Sequence, residues 1–222
     1  MSTRYNGWVP LDIHRAIRIV RKENRQWRRP VVAHYTDTPF TVLISCLLSL
    51  RTQDKTTDAA SERLFRLAKT PQAMNLLSPA KIRKAIYPVS FYRTKAANIK
   101  KICAILLKQY RGKVPPSIED LLELPGVGRK TANLVVTEGF RKPGICVDTH
   151  VHRIMNRWGY VKTAMPDETE MVLRQKLPFR YWIGINEWLV TYGQNLCKPV
   201  SPHCSLCKVR PQCPQLGVTK SR

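Results

Sequence analysis

A lysine behind a glycine-rich turn, an aspartate 18 residues further on and four cysteines within the last 26 residues are the side chains of this sequence best suited to chemistry. Lys130 stands in "LELPGVGRKTANL", Leu122 to Leu134. The phosphate-cradling loop of nucleotide-binding proteins needs a glycine directly before its lysine and four residues between its glycines. Here Arg129 precedes Lys130, and only Val127 separates Gly126 from Gly128, so that loop is excluded. The pattern does allow a tight turn, made by the two glycines, that feeds a helix start. Free amides and the positive end of the dipole at such a start attract an anion. With "SIEDLLEL" as a short first helix the segment reads as a helix-hairpin-helix. Gly126, Val127, Gly128 and Arg129 are then the candidate contacts to a backbone phosphate. Taken alone, Lys130 is one more cation near that phosphate. Asp148, in "CVDTHVHRIMNRW", directly precedes an apolar-periodic segment and taken alone reads as a helix N-cap.

Cys197, Cys204, Cys207 and Cys213 form C-x6-C-x2-C-x5-C, with prolines at 199, 202, 211 and 214 bending the chain around them. Four thiolates can hold zinc in a tetrahedron. Short zinc knuckles usually pair two C-x2-C elements, and one is present here. An iron-sulfur core also takes four cysteines and tolerates less even spacing, so the spacing leaves both metals open. The total of seven cysteines is odd and fits a disulfide framework poorly. Cys46, Cys103 and Cys146 lie in or beside apolar segments and read as small core residues.

The elements that must position these groups are helical. "FTVLISCLLSL" is apolar all round and reads as a buried central helix. Helical spacing recurs at Ile99, Ile102, Cys103, Leu106 and Tyr110, at Val151, Ile154, Met155 and Trp158, and at Ile185, Trp188, Leu189, Tyr192 and Leu196. Prolines punctuate the segments, and no alternating strand pair is found. The expectation is an all-α chain of about ten helices. Between Pro10 and Pro30 an amphipathic helix is expected, with Arg15, Arg18, Lys22, Arg25 and Arg29 on a basic face and Ile13, Ile17, Val20 and Trp27 opposite. The chain has 222 residues, with 38 Lys+Arg against 15 Asp+Glu and a net charge of +23. An extended polyanion is the commonest partner for such an excess. The start of the chain lacks the apolar core of a signal peptide, and no apolar run reaches the ~20 residues of a membrane span. A soluble intracellular protein, cytoplasmic or nucleoid-associated, is therefore expected.

The combination of "LPGVGRKTA", "VDTHVHRI" and the terminal cysteine pattern resembles endonuclease III, of the iron-sulfur branch of the helix-hairpin-helix DNA glycosylase superfamily. The similarity runs from about "TPFTVLISCLLSLRTQD" to Cys213. It implies a [4Fe-4S] cluster held by Cys197, Cys204, Cys207 and Cys213. It also implies a six-helix barrel domain with the helix-hairpin-helix, residues 32–142, and a helical cluster domain built from both termini, residues 1–31 and 143–222, with DNA in the cleft between. The implied activity is that of a bifunctional glycosylase and abasic-site lyase that removes oxidised pyrimidines. Lys130 would be the nucleophile, Asp148 would assist, and a Schiff base would lead to β-elimination. The implied partner is double-stranded DNA containing damaged bases or abasic sites, acted on by a monomer. Two positions depart from the family pattern. Arg51 stands where a glutamine usually fills the gap left by the flipped nucleotide, with Gln53 close by, and Phe91 replaces a leucine wedge. Both suit their task, since arginine can donate to an orphaned base and phenylalanine can stack. The competing readings are a monofunctional mismatch glycosylase, in which a lysine at position 130 is not typical, and a non-catalytic iron-sulfur DNA-binding protein.

Overall fold

The computed structural model describes residues 10–30 and 34–222; the reading of the first nine residues and the expected domain boundary at 31/32 lie outside them. Among the described residues there are eleven α-helices and no strand, in agreement with the expected all-α class. They form two compact units. One is Pro30–Cys146, and the other joins the described residues up to Arg29 to Val147–Arg222.

The first unit is organised around α2 (Pro39–Ser49), in which every residue from Phe40 to Leu48 is buried. Thr38 caps its start: its Oγ1 accepts from the Thr41 amide, and Pro39 occupies the first turn, where no backbone donor is needed. Around α2 run α3 (Asp54–Leu67), α4 (Pro71–Leu76), α5 (Pro79–Ile86), α6 (Tyr92–Gln109), α7 (Ile118–Leu122) and α8 (Arg129–Leu134). The Thr70-Pro71 and Ser78-Pro79 pairs start α4 and α5 in the manner of Thr38-Pro39. The expected stripe on α6 is buried at Ile99, Ile102, Cys103 and Leu106. A π-helical segment, Val135–Gly139, continues α8. It lies so close to α2 that a Cβ on Gly139 would stand 2.9 Å from the Pro39 Cα, and only glycine fits there.

The second unit contains α1 (Ile13–Glu23), α9 (Thr149–Arg157), α10 (Pro166–Lys176), α11 (Ile185–Asn195) and the cysteine-bearing tail. Helix α1 buries Ile13, Ala16, Ile17 and Val20 and is capped by Asp12. It is shorter than the sequence pattern suggests. It stops at Glu23, a 3₁₀ turn follows over Asn24–Gln26, and Arg25 and Arg29 lie beyond it. The cause is tertiary: Asn24 Nδ2 donates to the Trp188 carbonyl at 2.8 Å, and Arg29 forms a two-point ion pair with Glu187 at 2.7 and 2.6 Å. No described helix is long and apolar enough to cross a membrane.

Candidate functional site

Lys130 is the second residue of α8 and is half-buried. The turn leading to it begins at α7, where the Ser117 hydroxyl accepts from the Asp120 amide at 3.1 Å. The Val127 amide then donates to the Leu124 carbonyl at 3.1 Å. Gly126 has φ +82°, and a Cβ there would stand 2.6 Å from Asn98 Nδ2. The positive φ is what favours glycine here, and the Asn98 side chain would have to move aside for any larger residue. Gly128 is different: its backbone is extended (φ −104°, ψ 176°), and a Cβ would meet nothing within 4 Å. The expectation that both glycines make the turn is corrected to Gly126 alone. Gly128 instead keeps open space beside the start of α8, which no side chain caps. Val127 is buried and Arg129 half-buried.

Behind Lys130 the packing is thiol-rich. Its carbonyl accepts from Cys146 Sγ at 3.6 Å. Burial pushes the Cys46 thiol up to about 12, opposed by the nearby charge of Lys130 and reinforced by that of Glu138. Burial likewise pushes Cys103 up to about 12. Such thiols are inert core groups, as their apolar surroundings in the sequence suggest.

Arg51 and Gln53 leave the end of α2, and Phe91 is the residue before α6; all three are exposed. The structure brings Arg51 and Phe91 together, the guanidinium carbon lying 5.9 Å from the ring centroid. Both are left-handed, at φ 54° and 56°. Non-glycine residues hold that conformation only where their surroundings impose it.

Asp148 belongs to the second unit. It is buried and caps α9, its Oδ1 accepting from the amides of His150 and Val151, both at 2.9 Å. The cap read from sequence is therefore present. From Asp148, α9 runs to the cysteine tail. Arg153 Nη2 donates to the Cys197 carbonyl at 2.8 Å, and Arg157 donates to the carbonyls of Lys198 (2.6 Å) and Pro199 (2.7 Å). Neither arginine stands out in the sequence, where each is one cation among 38 Lys+Arg.

Cys197, Cys204, Cys207 and Cys213 line one cavity together with Arg157, Trp158 and Tyr192. The neighbours suit thiolates: Arg157 Nη1 stands 3.5 Å from Cys197 Sγ, and Tyr192 Oη 3.1 Å from Cys207 Sγ. Among the described residues no group of three or more His, Cys, Asp or Glu is arranged to hold a metal ion directly. Four thiols with cationic neighbours are a donor set suited to a thiolate-held metal centre, zinc or iron-sulfur.

The same unit carries a basic cleft of about 740 Å³ lined by His14, Arg18, Arg21, Lys22, Arg25 and Arg180, with no carboxylate among its lining residues.

The sequence from 44 to 179 matches the profile of the HhH-GPD superfamily base excision DNA repair protein. The chain belongs to that superfamily and is a DNA glycosylase of base excision repair. It is 48% identical over 180 residues to endonuclease III of Thermotoga maritima, covering 81% of this chain and 84% of the relative. To the chloroplastic endonuclease III homolog 2 of Arabidopsis thaliana it is 46% identical over 184 residues, 79% of this chain and 48% of that longer protein. A solved structure of a trapped endonuclease III–DNA covalent intermediate superposes with a TM-score of 0.81 at 33% identity, covering 91% of this chain and 94% of the other.

For a DNA-binding protein the basic cleft should carry phosphate. Replacing Arg18, Lys22 and Arg25 with glutamine should flatten the log–log salt dependence of duplex affinity by ~0.9 for each phosphate the cleft no longer neutralises. An unchanged slope, measured by fluorescence anisotropy, would make this a solvated face.

Proposed function

We propose that this chain is a bifunctional glycosylase and abasic-site lyase acting on oxidised pyrimidines in duplex DNA, with Lys130 as the nucleophile and Asp148 assisting. The observation that carries this reading is the position of Lys130 at the uncapped start of α8, directly after the amide-bearing turn at Gly126. Phosphate held by the amides around Gly126–Arg129 would fix the strand, and the amine beside it would reach the sugar. Arg51, Gln53 and Phe91 would fill the vacancy left by the extruded nucleotide.

The Lys130 nitrogen lone pair forms a bond to C1′ as the bond from C1′ to the base breaks, and the base leaves with a proton. Ring opening gives an iminium between Lys130 and the sugar. Loss of a C2′ proton then expels the 3′ phosphate by β-elimination, and water releases the lysine. Asp148 would stabilise the positive charge that grows on the sugar, or take up the lysine proton.

A [4Fe-4S] cluster, in this reading, is held by Cys197, Cys204, Cys207 and Cys213, and would cross-link the tail within the domain built from both termini. Arg153 and Arg157 already tie that tail to α9.

On duplexes carrying a panel of damaged bases, the protein should release oxidised pyrimidines and nick the strand. Lys130→Gln should abolish both activities while retaining much of the DNA affinity. Asp148→Asn should slow base release by ~10²-fold or more at an unchanged melting temperature, because asparagine caps helices about as well as aspartate. Base release by Lys130→Gln at the original rate would reject the mechanism. Metal analysis after anaerobic purification should find about four irons per chain; zinc without iron would reject the cluster.

A further inference from the structure

Lys95 lies in the first turn of α6 on the face that also carries Ala96, Ile99 and Ile102, and is only 7% exposed. Its Nζ donates to the carbonyls of Leu48 (2.9 Å) and Leu50 (2.6 Å) and to the Thr52 hydroxyl (3.3 Å). The two carbonyls belong to the last turn and C-cap of α2, where helical backbone acceptors lack amide partners and the dipole favours a cation. Burial is costly for the ammonium and draws the Lys95 pKa down to about 8. The three acceptors offset that cost.

Thr52 is the second half of the arrangement. Its hydroxyl accepts from Lys95 and, at 3.2 Å, from the Ser90 amide, and it lies 3.3 Å from the Leu50 carbonyl, to which it donates. One hydroxyl thus joins the loop after α2 to the turn before α6. The neighbours of these two junction residues are Arg51 and Phe91, both left-handed, both exposed and stacked on each other. A cap for α2 alone would need neither the link to Ser90 nor the matched left-handed residues.

We propose that Lys95 and Thr52 form a buried brace that holds Arg51 and Phe91 as one preset pair, which makes Lys95 a positioning residue for nucleotide extrusion. The inference rests on the proposed gap-filling roles of Arg51 and Phe91. With the pair fixed in advance, binding energy is spent on opening the duplex and not on ordering two exposed side chains. Lys95 touches no reacting atom; it acts through the two loops it ties together.

The test compares the wild-type chain with Lys95→Met, which keeps the unbranched apolar stem and removes the donor, and with Thr52→Val, which keeps the branched shape. Extrusion is read by 2-aminopurine fluorescence beside a damaged pyrimidine. Chemistry is read by single-turnover rates on a paired lesion and on a preformed abasic site. Both variants should lose the extrusion signal and slow the paired lesion on the order of tenfold to a hundredfold, with much smaller slowing at the abasic site. Equal slowing on the two substrates, or an undiminished extrusion signal, would overturn the brace and leave Lys95 as a structural cap. Should Lys95→Met fail to fold, as judged by its melting curve, Thr52→Val decides by the same criteria. A wild-type protein that extrudes no nucleotide from any damaged duplex would refute the gap-filling roles themselves, and the brace with them.

Discussion

The burial of α2 is the constraint on which the first unit depends. A helix with every residue from Phe40 to Leu48 buried has no face for water and must be covered on all sides. Helices α3, α6 and α8 and the π-helical segment supply that cover. The residues proposed to act on DNA from this unit sit where those elements meet the C-terminal end or the flank of α2. Arg51 and Gln53 leave its C-terminal end, Phe91 precedes the helix whose Lys95 caps that end, and Lys130 stands on α8 near Cys46. Rigid positions of this kind suit groups that must meet a substrate in a fixed geometry.

In the second unit α9 has the corresponding role. Its first turn is fixed by the Asp148 carboxylate, and its Arg153 and Arg157 hold the backbone at Cys197–Pro199. The helix therefore connects a proposed catalytic carboxylate to the thiol-lined cavity through one rigid element. Loss of the tail would take from the buried Arg157 guanidinium its carbonyl acceptors at Lys198 and Pro199, a costly state. The proposed cluster, by fixing the tail, would help to seat α9.

Much of this was legible in the sequence. The all-apolar run gave away the buried helix, prolines marked segment boundaries that include the starts of α4 and α5, and the 3–4 periodicity marked the α6, α9 and α11 stripes. The turn, the lysine and the cysteine spacing are the sequence features on which the proposed site rests. What was not legible depended on contacts distant in the chain. The end of α1 is set by the Trp188 carbonyl, and Gly126 and Gly128 differ in backbone conformation, φ +82° against an extended −104°, which the residue type does not reveal. Lys95 escaped notice because a lysine is read as solvated by default. The signal was present, since it lies four residues before Ile99 and so extends the apolar stripe by one turn.

The central claim is that the amine of Lys130 forms a bond to the sugar. Incubating the wild-type protein with a duplex containing an oxidised pyrimidine in the presence of borohydride, then mapping the cross-linked peptide by mass spectrometry, tests it directly. The expected result is a stable one-to-one adduct whose modified residue is Lys130. An adduct on a different amine, or base release with no adduct, would contradict the claim.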